Sequence, residues 1–398
     1  MLNALPGRMV VIAAILMCMP VVIGMYAYAL YPAILRWMER RSNKAEDPRS
    51  AVPPTVTIVI PAYNEEQQIR GAIEAVLAQD YPADRRHLLV LSDASTDRTD
   101  AIAAEYATRG VELLPMPVRG GKTAAENASI GRIRGEIVIN TDASVRLHPC
   151  AVRLLVEAMS DPKVGVASTR DVSVAVVGNT NHAEAGYVGY EMRVRDLETR
   201  AGGIVGASGS GYAIRAELHR VRLRDDLSRD FSAALVAHRH GMRAVSVNDA
   251  VCFVPRSSLP RHEYRRKVRT ISRGMETLYF NRDLLNPFVH GTFAWKLLSH
   301  KVCRWLVSLS ALPAFIGVVL LTIRVPSAGV LLVVALGGAA LAVAGAVWPD
   351  GRALPRWLPV GLLGGLSANL AVVHSAWRFI HGHEDHVWEP TRRPAIQT

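Results

Sequence analysis

Thr55-Val56-Thr57-Ile58-Val59-Ile60 runs directly into Pro61-Ala62-Tyr63-Asn64-Glu65. All six residues of the first run are β-branched, which stiffens each side chain and favours extended backbone. A short run of this kind, ended by a proline, reads as a buried strand. Downstream, Ile69, Ala72, Ile73, Val76 and Leu77 repeat at helical spacing within residues 65–79. A second strand is expected at His87–Leu91, then a helix over Asp97–Thr108 with Thr96 as its cap. Further strands at Val111–Leu114 and Glu136–Asn140 flank a helix through Thr123–Arg132. Such β-α-β-α alternation predicts a mostly parallel sheet covered by helices. Ligands of these sheets bind beyond the carboxyl ends of the strands. Three polar clusters fall at such ends: Ala62–Glu65, Asp93–Asp97 and Thr141–Ser144. One rim, and so one site, is expected.

Outward from this core the composition changes. The chain has 398 residues, 50% of them hydrophobic, and a net charge of +11. Residues 9–35 are apolar throughout, longer than the roughly 20 residues a bilayer crossing needs. Residues 302–323, 328–348 and 357–380 repeat the pattern. The expected organisation is an N-terminal transmembrane helix (1–38), a cytosolic domain (39–283), an interfacial amphipathic helix (284–300), a C-terminal membrane region of about three segments (301–381) and a polar tail (382–398). Arg36, Arg40, Arg41, Lys44 and Arg49 follow the first span, and Lys296, Lys301 and Arg304 lead into the second. The positive-inside rule then places the polar domain in the cytoplasm of a multi-pass membrane protein. With three C-terminal crossings the tail would lie outside, so 357–380 is re-entrant or interfacial, or the tail is external. A lipid-facing basic rim accounts for the positive charge without nucleic acid as a partner. Cys18, Cys150, Cys252 and Cys303 are scattered and form no metal or redox pair.

The order and spacing of Pro61-Ala62-Tyr63-Asn64-Glu65, Asp93, Gly120-Gly121-Lys122, Asp142-Ala143-Ser144, Gly206–Arg215, Ser228-Arg229-Asp230 and Arg266–Thr270 resemble the membrane-integrated family-two glycosyltransferases. These include the chitin, cellulose, hyaluronan and poly-N-acetylglucosamine synthases. The resemblance covers about residues 55–275 and continues more loosely through Ser299–Trp305 and Trp388–Arg393. It implies an α/β fold of GT-A type, a nucleotide-sugar-binding domain with N- and C-terminal transmembrane helices. The reaction it implies is inverting transfer from a UDP-sugar to a growing polysaccharide or glycolipid. Transfer of one sugar to a polyprenyl phosphate or other lipid, or an inactive nucleotide-binding scaffold, are the other readings.

Residue by residue, the resemblance gives donor contacts to Pro61, Tyr63, Glu65, Asp93, Lys122, Asp142, Arg266 and Arg269. Asp142 and Ser144 would hold Mg2+ or Mn2+, with a serine where the family has its second acid. Gly209 and Ser210 would line the acceptor pocket. Asp230 is placed as the catalytic base by its interval to Gly241, with Asp226 as the alternative. A carboxylate is needed there because the acceptor hydroxyl must lose a proton as it attacks. Arg229 replaces an acid beside that base and is expected to draw its pKa down, unless it points elsewhere. Thr270 replaces a tryptophan that stacks on sugar in the processive relatives, which weakens the case for polymerisation.

Overall fold

The computed structural model describes residues 5–39, 52–174, 182–255, 260–348 and 360–382. The expected tail at 383–398 and the basic residues Arg40, Arg41, Lys44 and Arg49 lie outside them. The chain divides into two compact units. One gathers Met1–Trp37, Ser258–Met275 and Arg282–His383, the other Met38–Ser257, Glu276–Asn281 and Glu384–Thr398.

Among the described residues of the second unit, eight strands form one sheet: β1 Val56–Ala62, β2 Arg86–Ser92, β3 Val111–Pro115, β4 Ile137–Thr141, β5 Arg146–Leu147, β6 Val164–Val174, β7 Gly211–Arg215 and β8 Arg243–Pro255. Their order is β3-β2-β1-β4-β7-β6-β8-β5. The first four are mutually parallel and β6 is parallel to β8, whereas β7 and β5 run against their neighbours. The predicted mostly parallel α/β sheet is therefore present. Ile58, Val59 and Ile60 are fully buried, each burial contributing about 1.5–3 kcal/mol.

Successive residues of β1 point to opposite faces, and each face has its own core. Ile58 and Ile60 join Leu88, Val90 and Ile139 beneath helices Ile69–Leu77 and Ala151–Ala158. Val59 joins Leu89, Leu91 and Val138 on the other face, with Ala125, Ala233, Ala234 and Ala237. Helices Lys122–Ala128 and Arg229–Arg239 thus share one face of the sheet. That shared face brings two distant stretches of sequence together.

Two local expectations differ from the structure. β1 does not stop before Pro61 but runs through it, pairing Pro61 with Leu91. The pairing of β1 with β4 has already ended at Val59–Asn140, so the missing N–H of Pro61 leaves no ladder bond unmade on that side. Thr96 does not cap the next helix, which spans Thr99–Ala104. Asp97 accepts from the Thr99 amide at 2.9 Å instead, and Thr96 is turned to Asn64.

The first unit is helical. Among the described residues three helices are long and apolar enough to cross a membrane: Arg8–Glu39, Pro287–Arg324 and Pro326–Val347. The second begins with Asn286 accepting from the Phe288 amide, bends at Gly291 and passes through a π turn at Leu298–Val302. Segment 357–380 contributes a further helix, Val360–Ile380, which is outside those three. Its polar side chains bond to other helices of this unit: Asn369 accepts from Ser308 Oγ at 2.8 Å, and His374 meets the Tyr264 hydroxyl at 2.9 Å.

Candidate active site

The rim of the second unit is built from loops locked to one another. Asn64 and Ala94, immediately beyond β1 and β2, both have positive φ, at 50° and 55°. Left-handed backbone is uncommon for residues other than glycine and clusters at functional sites. It turns the two loops face to face. The Asn64 amide donates to Ser95 Oγ at 3.2 Å, and Asn64 Oδ1 accepts from the Thr96 amide at 2.8 Å. Glu65 is buried, and its amide donates to Thr99 Oγ1 at 2.8 Å. Arg119 stacks on Tyr63, its guanidinium carbon 3.6 Å from the ring centroid.

Asp93 is buried, and its two oxygens accept from the amides of Gly120 and Gly121 at 2.7 and 2.8 Å. The glycine loop was expected to turn its amides to a diphosphate. In the structure those two amides hold the aspartate.

Lys122 opens the helix after this loop and lies in the middle of the site. Its ammonium donates to Asp142 Oδ1 at 2.6 Å and to the Gly209 carbonyl at 3.3 Å. Burial pulls the lysine's pKa down, but the Asp142, Glu126 and Asp230 carboxylates outweigh it and the net direction is up. Lys122 therefore stays charged. Asp142 follows β4, where Arg146 fastens the turn: its guanidinium donates to the carbonyls of Ala143 and Val145 and to Gln68.

The opposite wall is Ser208-Gly209-Ser210, leading into β7. The hydroxyls of Ser208 and Ser210 both donate to Asp171 of β6, at 2.8 and 3.1 Å. A Cβ on Gly209 would stand 2.9 Å from Asp230 Oδ2, so only glycine fits there without displacing the carboxylate. Asp230 itself accepts a short hydrogen bond from the Ser228 hydroxyl, one residue outside helix Arg229–Arg239. Asp226 is paired with Arg224 and Asp225 accepts from Asn127.

The structure thus brings Asp93, Lys122, Asp142, Gly209, Ser210 and Asp230 into one connected set, with Tyr63 and Glu65 on the adjoining loops. Arg266 and Arg269 belong to another part of the chain. They lie on helix Pro260–Phe280, in the stretch belonging to the first unit, and Arg266 is ion-paired with Glu263. Arg229 also departs from expectation. Its side chain turns into the core, donating to Asn127 Oδ1 at 2.8 Å and lying 3.6 Å from Glu126. It points elsewhere than the base.

The sequence reading missed Asp171, Arg119, Arg146 and Glu126. Asp171 is a lone acid within a strand and Glu126 one acid among helical residues, so neither carries a local signature.

A divalent cation would find Asp142 and the hydroxyl of Ser144, itself buried, as protein oxygens. No group of three His, Cys, Asp or Glu residues suited to a metal occurs among the described residues. Hard cations commonly take one or two carboxylates and complete their shell with water and phosphate. The residues fit such a sparse site, provided Asp142 shares its carboxylate between the ion and Lys122.

Residues 57–222 match the family model Glycosyl transferase family 2. A probable glycosyltransferase, YdaM, of Bacillus subtilis (strain 168) is 34% identical over 118 residues, 28% of each chain. The β-monoglucosyldiacylglycerol synthase of Synechocystis sp. is 32% identical over 126 residues, 30% of this chain and 26% of its own. An N-acetylglucosaminyltransferase of Mesorhizobium japonicum is 31% identical over 126 residues, 30% of each. The chain thus spans between a quarter and a third of the length of these relatives. Among solved structures, the mannosyltransferase PcManGT of Pyrobaculum calidifontis, in complex with GDP-Man and Mn2+, superposes with a TM-score of 0.69 at 21% identity, covering 93% of this chain and 100% of that one. The fold is GT-A-like, and residues 57–222 are similar to the family 2 glycosyl transferases.

Proposed function

We propose that this chain is a family 2 glycosyltransferase that transfers a sugar, with inversion, from a UDP-sugar to a growing polysaccharide or glycolipid at a membrane. The observation that carries the reading is the convergence of Asp142, Lys122 and Asp230 around Gly209. Inverting transfer needs negative charge stabilised on the leaving diphosphate and a carboxylate on the acceptor's side. On this reading Lys122 and Asp142 serve the donor. Asp93 and Tyr63 address its nucleoside, and Asp230 takes the proton from the acceptor hydroxyl. Mg2+ or Mn2+ supplies further positive charge at the diphosphate, held by Asp142 with Ser144 beside it. On this reading Gly209 and Ser210 line the acceptor's position next to the base.

The three long apolar helices support action at a membrane. Lys and Arg flanking the first and second spans favour a cytoplasmic catalytic domain in a bacterial inner membrane. The bend at Gly291, near the start of the second long helix, supports an interfacial position for the residues that precede it.

A second reading, single transfer to a lipid acceptor such as a polyprenyl phosphate, is favoured by Thr270, which offers no aromatic face to a bound sugar chain. Full-length protein in lipid, incubated with separate UDP- and GDP-sugars and Mn2+ or Mg2+, distinguishes the two. A ladder of long products indicates a synthase, and one added sugar on lipid indicates the second reading. Nucleotide binding without turnover of any donor would instead indicate an inactive scaffold.

Asp230→Asn should abolish transfer while leaving UDP binding nearly intact. Wild-type turnover in that variant would refute the assignment of the base. Asp142→Ala should weaken metal-dependent donor binding, and an unchanged metal titration would sink the coordination claim.

A further inference from the structure

The deepest charge near the site has no role in the reaction just described. Glu126 lies one helical turn beyond Lys122, is fully buried, and neither carboxylate oxygen has a hydrogen-bond partner. Burial raises its pKa, the Lys122 and Arg229 cations offset part of this, and the net direction is up. Arg229 Nε is 3.6 Å away. That guanidinium is 5% exposed and is fixed by Asn127 Oδ1 and the His219 carbonyl. The charges therefore alternate along one path through the protein: Asp142, Lys122, Glu126, Arg229, Asp230. Its ends are the donor-side and acceptor-side carboxylates. Its middle joins two helices that meet only because both pack on one face of the sheet.

We propose that Glu126 is a positioning residue of the transfer reaction: buried against Arg229, it ties the helix bearing Lys122 to the helix bearing Asp230 and keeps the arginine's charge off the base. The inference rests on the reading of Asp230 as that base. A buried cation beside a carboxylate stabilises its charged form, and a buried anion opposes it. The groups around Asp230 through which this acts are Lys122 and Glu126 from one helix, Tyr212 from β7, and Arg229 and Ser228 from its own turn. Without Glu126 the arginine is uncompensated; without Arg229 the glutamate is. The two losses push the base in opposite directions, which packing alone cannot do.

The test uses full-length enzyme in lipid with its active donor. Glu126→Gln, Arg229→Gln, the double variant and Asp230→Asn are compared by kcat, donor KM and the pH profile of kcat. Each single substitution of the pair should lower kcat on the order of ten- to a hundredfold, the scale of a small misplacement of reacting groups. Donor KM should stay within about threefold of wild type. The acid limb of kcat should move to lower pH in Glu126→Gln and to higher pH in Arg229→Gln. In the double variant it should return to the wild-type position, with no greater loss than the worse single. Glu126→Asp keeps the charge on a shorter stem, so it should lower kcat with the limb in place, and it serves if the glutamine variant does not fold. Unchanged kcat in Glu126→Gln, limbs moving the same way in both singles, or a double loss equal to the product of the singles would each overturn the proposal. Wild-type turnover in Asp230→Asn removes the base itself. An inactive Asp230→Asn beside an unaffected Glu126→Gln removes only the positioning role.

Discussion

Gly209 stands where the carbon it lacks would press on Asp230. Gly209→Ala must either move that carboxylate or move the loop that gives its carbonyl to Lys122. Activity should fall about a hundredfold, the scale of a displacement near 1 Å, while the melting temperature changes little. Near-wild-type kcat would mean that the site tolerates the shift. His219 reports on stability rather than turnover. It is fully buried without a hydrogen-bond partner on either ring nitrogen, and burial, aided by the Arg229 and Arg220 charges, holds its pKa well below the usual value. The unfolded chain takes up a proton near pH ~6.5, whereas the native histidine stays neutral. Stability is therefore complete above that pH and declines as pH falls, by up to about 1.4 kcal/mol per unit. Thermal melts between pH 7.5 and 5.5 should show this slope, and His219→Leu should flatten it.

At the level of elements, the early part of the sheet was legible because β1 to β4 are short, largely apolar runs, and β1, β2 and β4 are each closed by a polar cluster. Local pattern marks where such a strand ends, and the ends define the rim. β6 and β8 escaped the reading, as their residues are partly exposed and their pairing is long-range. Asp171 was lost with them. Which helices share a face was equally hidden, since nothing local links residues 122–128 to 229–239. Hence Asp142 and Lys122 could be singled out from motifs, whereas the Glu126–Arg229 pair could not, and Arg229 was expected to act on the base. Side-chain clamps secure this meeting of helices: Thr123 Oγ1 donates to the Leu227 carbonyl at 2.8 Å, and Asn127 Nδ2 to the Leu223 carbonyl at 2.7 Å. Thr123→Val leaves the Leu227 carbonyl without this donor and should destabilise the domain by about 1–3 kcal/mol, measured by chemical denaturation. An unchanged midpoint would show that the loop finds another donor.

For the molecule as a whole, the apolar helices set where the chemistry takes place. Long apolar helices such as Arg8–Glu39 and Pro326–Val347 retain their lipid against salt, which screens only charge. The full chain should therefore stay with membranes through high-salt and alkaline washes and leave only with detergent. Release by salt would mean that the helices do not span.

The contact between Lys122 and Asp142 has a consequence for substrate supply. In the resting protein these two groups satisfy one another at 2.6 Å. On the proposed reading, an arriving diphosphate and its cation must each displace an internal competitor, always present at fixed effective concentration. Occupancy then follows the cell's supply of activated sugar over a wide range instead of saturating at trace levels. The enzyme's output would be governed by the abundance of its donor.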